Sequence, residues 1–340
     1  MPRASRILAL SAAALITVSL AACSSSTGTD AEGSDGAFTP ITITHALGTT
    51  TIDKKPERVA TVNWANQEVP LALGVVPVGM AAANFGDDDG DGVLPWVDEK
   101  LTELGAETPV LFDETDGIDF EAVADTSPDV ILAAYSGLTQ EDYDTLSEIA
   151  PVVAYPETAW GTSWREMIEL NSQGMGMADE GKALVASLEK EISDSVAKHP
   201  NLEGKSAAFL THVDTSDLSE VSFYTTHDTR VMFFDDMGLS MPGSIATASE
   251  ATDKFSLSTS AEQADAFNDV DIIVTYGDGE LLTALKGDPL LSQMPAVTRD
   301  AIVNLPGTTP LGTAANPTPL SISWVLDDYL DLLSSAADKA

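Results

Sequence analysis

From Ala178 to His199 the apolar residues Ala183, Leu184, Leu188, Ile192 and Val196 recur at steps of three or four, and Pro200 stops the run. At 1.5 Å per residue this predicts a helix roughly 33 Å long, about a domain diameter. Such a helix has to be covered by whatever stands on either side of it, and on both sides short β-branched runs alternate with helix-like ones. Before it, VATVNW (59–64), VVPVGMA (75–81), PVLF (109–112) and the end of DFEAVADTSPDVILAAY (119–135) read as strands. NQEVPLALG, PWVDEKLTELG and DFEAVAD read as helices, the first ending near Gly74 and the second closed by Gly105. After it come SAAFLTHV, SEVSFYTT, TRVMFFDDMGL, the helix-like SAEQADAFND, VDIIVTY, a helix around LLTAL and a closing helix SWVLDDYLDLLSSAAD. The order predicts an α/β protein of two lobes, each a mostly parallel sheet flanked by helices, with the long helix between them. The lobes are expected over 38–171 and 201–340, and the connecting region over 172–200.

The first residues do not belong to that fold. Arg3 and Arg6 precede an apolar stretch from Ile7 and then small residues up to Cys23, the layout of an export signal over 1–22. Leu20-Ala21-Ala22-Cys23 looks like the lipobox of bacterial lipoproteins, which implies cleavage before Cys23 and acylation of its thiol and new amino terminus. Each buried CH₂ of an acyl chain contributes about 0.8 kcal/mol, so several chains would hold the protein at a membrane surface. Residues 23–37, rich in Ser, Thr, Gly and acid, read as a flexible tether. Cys23 is the single cysteine, so no intrachain disulfide is available.

Roughly 300 residues remain, enough for two domains of ordinary size. With 16 Lys and Arg against 54 Asp and Glu, the net charge is −38, and loss of the leader removes two of the cations. Nucleic acid is excluded as a partner, since phosphate binding needs clustered cations. The acid is spread along a chain that is 44% hydrophobic, which describes a folded protein with an acidic surface. Such a field favours neutral or cationic ligands over polyanions, and here it favours a hydroxamate-type complex over a trianionic tris-catecholate.

KPERVATVN followed by EVPLALGVVPVG, then SPDVILAAYSGLTQEDYDTLSEIAPVVAY, the long helix, TRVMFFDDMGL and SAEQADAFNDVDIIVTY together resemble the substrate-binding lipoproteins of ABC importers for ferric siderophores, haem and cobalamin. The resemblance runs in order through the whole mature chain. It implies two α/β lobes joined by one rigid helix, a ligand held in the interlobe cleft, limited closure, delivery to an ABC permease and a monomer anchored by lipid to the outer face of the cytoplasmic membrane. It implies no intrinsic cofactor, the ferric siderophore being the transported ligand. Haem or cobalamin is the alternative within the family. A cell-surface enzyme or a calcium-dependent surface protein is the alternative outside it, but no Gly-Xaa-Ser-Xaa-Gly elbow, P-loop or zinc-hydrolase pair appears.

In open α/β sheets ligands sit beyond the carboxyl ends of strands. That points to Trp64 and Asn66 after the first strand and Tyr135 after VILAA, with Trp160, Trp164 and Arg165 in AWGTSWR as an aromatic and cationic cluster. A ferric siderophore presents iron already wrapped in oxygen ligands, so the protein needs hydrogen-bond donors and aromatic walls. Arg165 and Arg230 are the first candidates for the donors, with Tyr224, His227 and Tyr276 as neighbours. The bland alternative is that both arginines satisfy nearby acids. Glu141 and Glu262 match the places of the family's lobe-tip glutamates, which the resemblance implies dock on the permease. The scattered histidines argue against a metal held directly by the protein.

The run NFGDDDGDGVLPW aligns Asp87, Asp89, Asp91 and Gly92 with positions 1, 3, 5 and 6 of an EF-hand loop, and Asp98 with position 12. Gly86 interrupts any entering helix and Asp98 is one methylene short of the usual glutamate. The run is therefore read as a polar, mobile loop at the cleft mouth with Trp96 covering bound ligand, and a calcium site at these four aspartates as the alternative.

Overall fold

The computed structural model describes residues 38–340 apart from positions 214 and 278. The expected leader (1–22) and tether (23–37), with Cys23, lie outside the described residues.

The chain enters through a hairpin, β1 Ile41–His45 and β2 Gly48–Ile52, whose Ile43, His45, Thr50 and Ile52 are buried. The N-lobe proper alternates β3 Val59–Thr61, α1 Glu68–Ala72, β4 Gly79–Ala81, α2 Pro95–Leu104, β5 Val110–Phe112, α3 Phe120–Asp125, β6 Val130–Ala133, α4 Gln140–Ser147 and β7 Val152–Ala154. Its sheet is parallel throughout, in the order β5-β4-β3-β6-β7. The central strands β3 and β6 are buried at every residue, as two-sided helix cover requires. The strand order reverses between β3 and β6, and this switch point opens a crevice beyond their carboxyl ends.

Two helices leave the N-lobe. α5 Trp164–Gly174 starts from a capping box in which the Ser163 hydroxyl accepts from Glu166 N and the Glu166 carboxylate takes the Ser163 amide. It ends slightly past the expected lobe boundary at 171. α6 Ala178–Val196, 19 residues and about 28 Å long, is the interlobe helix; it ends short of His199, tightens through turns at Lys198 and His199 and passes into a 3-10 turn at Pro200–Leu202.

The C-lobe comprises β8 Ala207–His212, β9 Glu220–Tyr224, α7 Thr229–Asp236, α8 Gly243–Ser249, β10 Ser256–Ser260, β11 Ile272–Tyr276, α9 Leu281–Gly287, α10 Pro295–Thr298, β12 Ile302–Leu305, α11 Pro310–Ala314 and α12 Ser321–Ala337. Its sheet, ordered β10-β9-β8-β11-β12, joins β8, β11 and β12 in parallel, while β9 runs against both its neighbours. SAEQADAFND, read as a helix, is a 3-10 segment over Ala261–Phe267 with Gln263 out of helical geometry.

α6 lies between α5 and α12. One apolar cluster runs from Val69 and Val97 through Ile168, Leu188 and Ile192 to Phe209, Leu326 and Tyr329, so the lobes share a core behind the cleft.

Candidate ligand-binding cleft

Three loops at the carboxyl edge of the N-lobe sheet are laced together by two asparagines. Asn63 and Ala65 both hold positive φ, 60° and 61°, on either side of Trp64. Asn63 belongs to the residue types that enter this conformation most readily, and bonds from its side chain to two neighbouring loops hold it there. Its Oδ1 accepts from Gly137 N, and its own N and Nδ2 donate to Glu114. Asn66 is fully buried: Nδ2 donates to the carbonyls of Val62, Trp64 and Tyr135, and Oδ1 accepts from Tyr135 N and Asn171 Nδ2. A buried post-strand loop must find partners for its backbone, and Asn66 supplies them. It therefore positions Trp64 and Tyr135 and has no surface for ligand contact.

The crevice so formed has two connected parts. One, of about 270 Å³, lies between the lobes and is lined by Trp64, Asn84, Phe85, Tyr135 and Trp160 from the N-lobe and by Arg230, Phe255, Tyr276, Thr313 and Asn316 from the C-lobe. The other, of about 310 Å³, runs into the N-lobe between Trp64 and Trp160 and includes Asn63, Glu114 and Asp142. Trp160 stands edge-on to Tyr135 at 5.4 Å and has φ of 61°, an uncommon backbone for a bulky residue. Its indole lies on Gly137, where a Cβ would come within 2.3 Å of Nε1, so the glycine admits the ring.

Across the cleft, Asp228 caps α7 and receives Arg230 N, Nε and Nη2, the guanidinium bonds being 2.8 and 2.7 Å. The same guanidinium stacks 3.9 Å from the centre of the Tyr224 ring. Asp228 is 1% exposed, so the pair is a buried one whose cation lines the cavity. Burial pushes the phenols of Tyr135, Tyr224 and Tyr276 up, against the pull of Arg230, so all three are O–H donors at neutral pH. Tyr135 accepts from Asn316 Nδ2 across the lobes, and Asn316 in turn accepts from Thr229.

Several residues expected at the ligand stand elsewhere. Trp164, 2% exposed, donates Nε1 to Asp236 at 2.9 Å. Arg165 clamps Asp236 with Nη1 and Nη2 at 3.0 and 2.7 Å and Glu189 with Nε at 2.7 Å. The capping box at Ser163 starts a helix there, and its first residues face α6 and α7 rather than the cleft. Trp96 is 4% exposed and packs on Trp324, its Nε1 donating to Glu68, so it is core and covers no ligand. His227 Nε2 lies 2.8 Å from the Thr252 carbonyl, which directs the ring away from both cavities. Tyr224 backs Arg230 from beneath. Asn84 and Phe85 carry the loop's contact with the cavity, and Phe85 meets Tyr276 edge-on at 6.3 Å.

In the aspartate-rich loop, Asp87, Asp89 and Asp91 bring carboxylate oxygens within 4.8 Å of one another, and Asp98 lies outside that group in the first turn of α2. Their oxygens accept the loop's own amides, including Gly90, Gly92 and Val93, which accounts for the fold of this turn. Gly86, at φ 80°, sits against Thr313 of the C-lobe, where a Cβ would meet its side chain. Glu141 and Glu262 are exposed in the first turns of α4 and of the 3-10 segment.

Phe255, Thr313 and Asn316 were not expected at the site. Phe255 and Asn316 lie outside regular elements and Thr313 in the five-residue α11, segments too short to carry a periodic signal.

The architecture has solved counterparts. The chain aligns with the PiaA protein of Streptococcus pneumoniae TIGR4, whose crystal structure is a complex with ferrichrome, at 46% identity and TM-score 0.85, covering 88% of this chain and 99% of that one. A periplasmic solute-binding protein of Mycobacterium smegmatis aligns at 27% identity and TM-score 0.70, covering 88% and 99%. In sequence, a probable siderophore-binding lipoprotein of Bacillus subtilis, YfiY, is 27% identical over 238 residues, 69% of this chain and 68% of its own. The family model described as periplasmic binding protein matches residues 59–309, and the chain belongs to that family.

Proposed function

We propose that this chain is an extracytoplasmic receptor, anchored by lipid at Cys23 to the outer face of the cytoplasmic membrane, that takes a ferric siderophore into the interlobe cleft and hands it to an ABC importer without chemical change. The observation that carries this reading is the cleft itself. Trp64, Phe85 and Trp160 offer aromatic walls, while Arg230, Tyr135 and Tyr276 offer donors, and a ferric chelate asks for both. Iron arrives with its coordination shell filled by the siderophore, so no protein ligand is required. The likeness to PiaA, solved with ferrichrome, and to YfiY, described as a probable siderophore-binding lipoprotein, supports the same ligand class.

Glu141 and Glu262, exposed one per lobe, are the proposed contacts to permease arginines. The lobes are taken as 38–171 and 201–340 about the connecting region 172–200, in a monomer. Titration of tryptophan fluorescence with a panel of ferric siderophores, with haem and cobalamin as controls, tests the assignment. Saturable submicromolar quenching by one siderophore class is expected, and a response to haem or cobalamin alone would overturn it. Replacing Glu141 and Glu262 together by Ala should leave that titration intact and lower iron uptake in cells; undiminished uptake would end the docking assignment.

A further inference from the structure

The two halves of the cleft differ in charge. In the interlobe half Arg230 is matched by Asp228, so the pair is neutral as a unit. In the N-lobe half the carboxylate of Glu114 lines the cavity together with the indoles of Trp64 and Trp160. Its oxygens accept the Asn63 amide at 3.1 and 3.0 Å, and Oε2 also accepts Asn63 Nδ2 at 3.0 Å. Donors on both oxygens suit the ionised carboxylate, which has acceptors alone. Burial raises its pKa and these bonds pull it back. Among the described residues no Lys, Arg or His nitrogen stands within 4.0 Å of it. Asp142 lines the same half, its Oδ2 already held by Thr139 N and Oγ1. A largely buried anion without a counter-charge is unfavourable until a cation comes to it, and the indoles of Trp64 and Trp160 lining the same cavity are groups to which a cation is also attracted.

We infer that the N-lobe half of the cleft is a cation subsite: Glu114, between Trp64 and Trp160, receives an ammonium-bearing arm of the siderophore. This rests on the receptor reading above and narrows its ligand class. Three hydroxamates neutralise Fe³⁺, so a ferric trihydroxamate has a neutral core that the phenols and Arg230 can serve, and a cationic arm adds the partner that Glu114 lacks. A trianionic chelate would meet Glu114 and Asp142 as repulsion.

The test compares three probes on the full chain in detergent, by tryptophan fluorescence. They are ferrichrome, which has no charged arm; ferrioxamine B, a linear ferric trihydroxamate with a terminal ammonium; and the same chelate N-acetylated. The native protein should prefer the ammonium form over the acetylated one by about tenfold, a preference narrowed in 0.5 M salt. In Glu114→Gln the ratio should fall close to one. A native ratio near one, or a ratio that persists in a Glu114→Gln protein with native thermal stability, would overturn the subsite. The native ratio and its salt dependence need no variant, so a misfolded substitution leaves the decision intact. Ferrichrome binding with neither linear chelate bound would reject the subsite and spare the receptor reading, whereas failure of all three would reject both.

Discussion

Replacing Asp236 by Ala asks whether Trp164 and Arg165 serve the lobe junction or the ligand. Asp236 accepts from Trp164 Nε1 and from two nitrogens of Arg165. Trp164 is 2% exposed, so an indole N–H left without its acceptor there costs about 1–3 kcal/mol. The Arg165 side chain is 34% exposed and keeps Glu189, so solvent screening limits the loss of its pair to about 1 kcal/mol. The total is about 2–4 kcal/mol. With an unfolding entropy near 2.1 cal/mol/K per residue over roughly 300 residues, each kcal/mol moves Tm by about 1.6 °C, so a fall of about 3–6 °C is expected. Thermal denaturation followed by circular dichroism reads that fall, and siderophore titration should give an affinity within about threefold of native, because no atom of the cluster lines the cleft. A native Tm with binding weakened more than about tenfold would return these residues to the ligand and refute the assignment.

Gly137→Ala should weaken siderophore binding by about tenfold while changing stability little, because its Cβ would sit 2.3 Å from Trp160 Nε1 and must displace that wall; an unchanged titration would remove Trp160 from the site. Arg230→Ala should destabilise by about 3–5 kcal/mol in urea unfolding, since Asp228 is left buried without its partner. The double variant Asp228→Asn/Arg230→Ala should recover part of that stability and none of the affinity, and equal stability of the single and double variants would contradict the buried-pair argument. Glu68 supplies a pH test. It is fully buried, and desolvation raises its carboxyl above the usual value despite bonds from Trp96 and the Leu320 and Ser321 amides. The folded state therefore holds this proton more tightly than the unfolded one. The resulting stability is complete below about pH 4.5 and is lost as pH rises through the raised folded value. Glu68→Gln cannot ionise, so its stability should fall less than that of the native protein between pH 4 and 7; parallel curves would show that Glu68 does not titrate differently on folding.

The long helix was legible because Leu184, Leu188, Ile192 and Val196 recur every four residues and are buried or half-buried, although Ala183 is exposed and Val185 is buried in that turn instead; α/β order was legible because β3 and β6 are buried on both faces. Trp64, Tyr135 and Trp160 were legible for a topological reason: they follow strands or loops at a sheet edge where open α/β folds place crevices. What failed was orientation. Trp160 and Trp164 are four residues apart and looked like one cluster, but a positive φ at Trp160 turns one indole into the cleft while the helix begun at Ser163 turns the other to α7. The S-x-x-E box was readable in the sequence, and it carried the information that separates them. Asn66 failed differently, since one buried amide making five bonds looks in sequence like any exposed polar residue after a strand. The contributions of Thr313 and Asn316 depend on where α11 is set against the other lobe, which no local pattern encodes.

The ties between the lobes bear on how the cleft selects. Asp236 joins α7 to α5, Glu68 of α1 accepts the first amides of α12, Asn316 reaches Tyr135, and one apolar cluster is continuous behind them all. Wide separation of the lobes would expose that cluster at about 25 cal/mol per Å², take the α12 amides from Glu68 and leave the Trp164 indole without its acceptor. The walls are consequently set before a ligand arrives, and little ordering cost falls on binding. Discrimination then comes from shape and charge at fixed positions: an oxygen shell set away from Arg230 and the phenols forgoes their hydrogen bonds, and a chelate of the wrong charge faces Glu114 at fixed distance. A preformed cleft of this kind tolerates variation in the siderophore's frame along the indole walls and is strict at its polar ends.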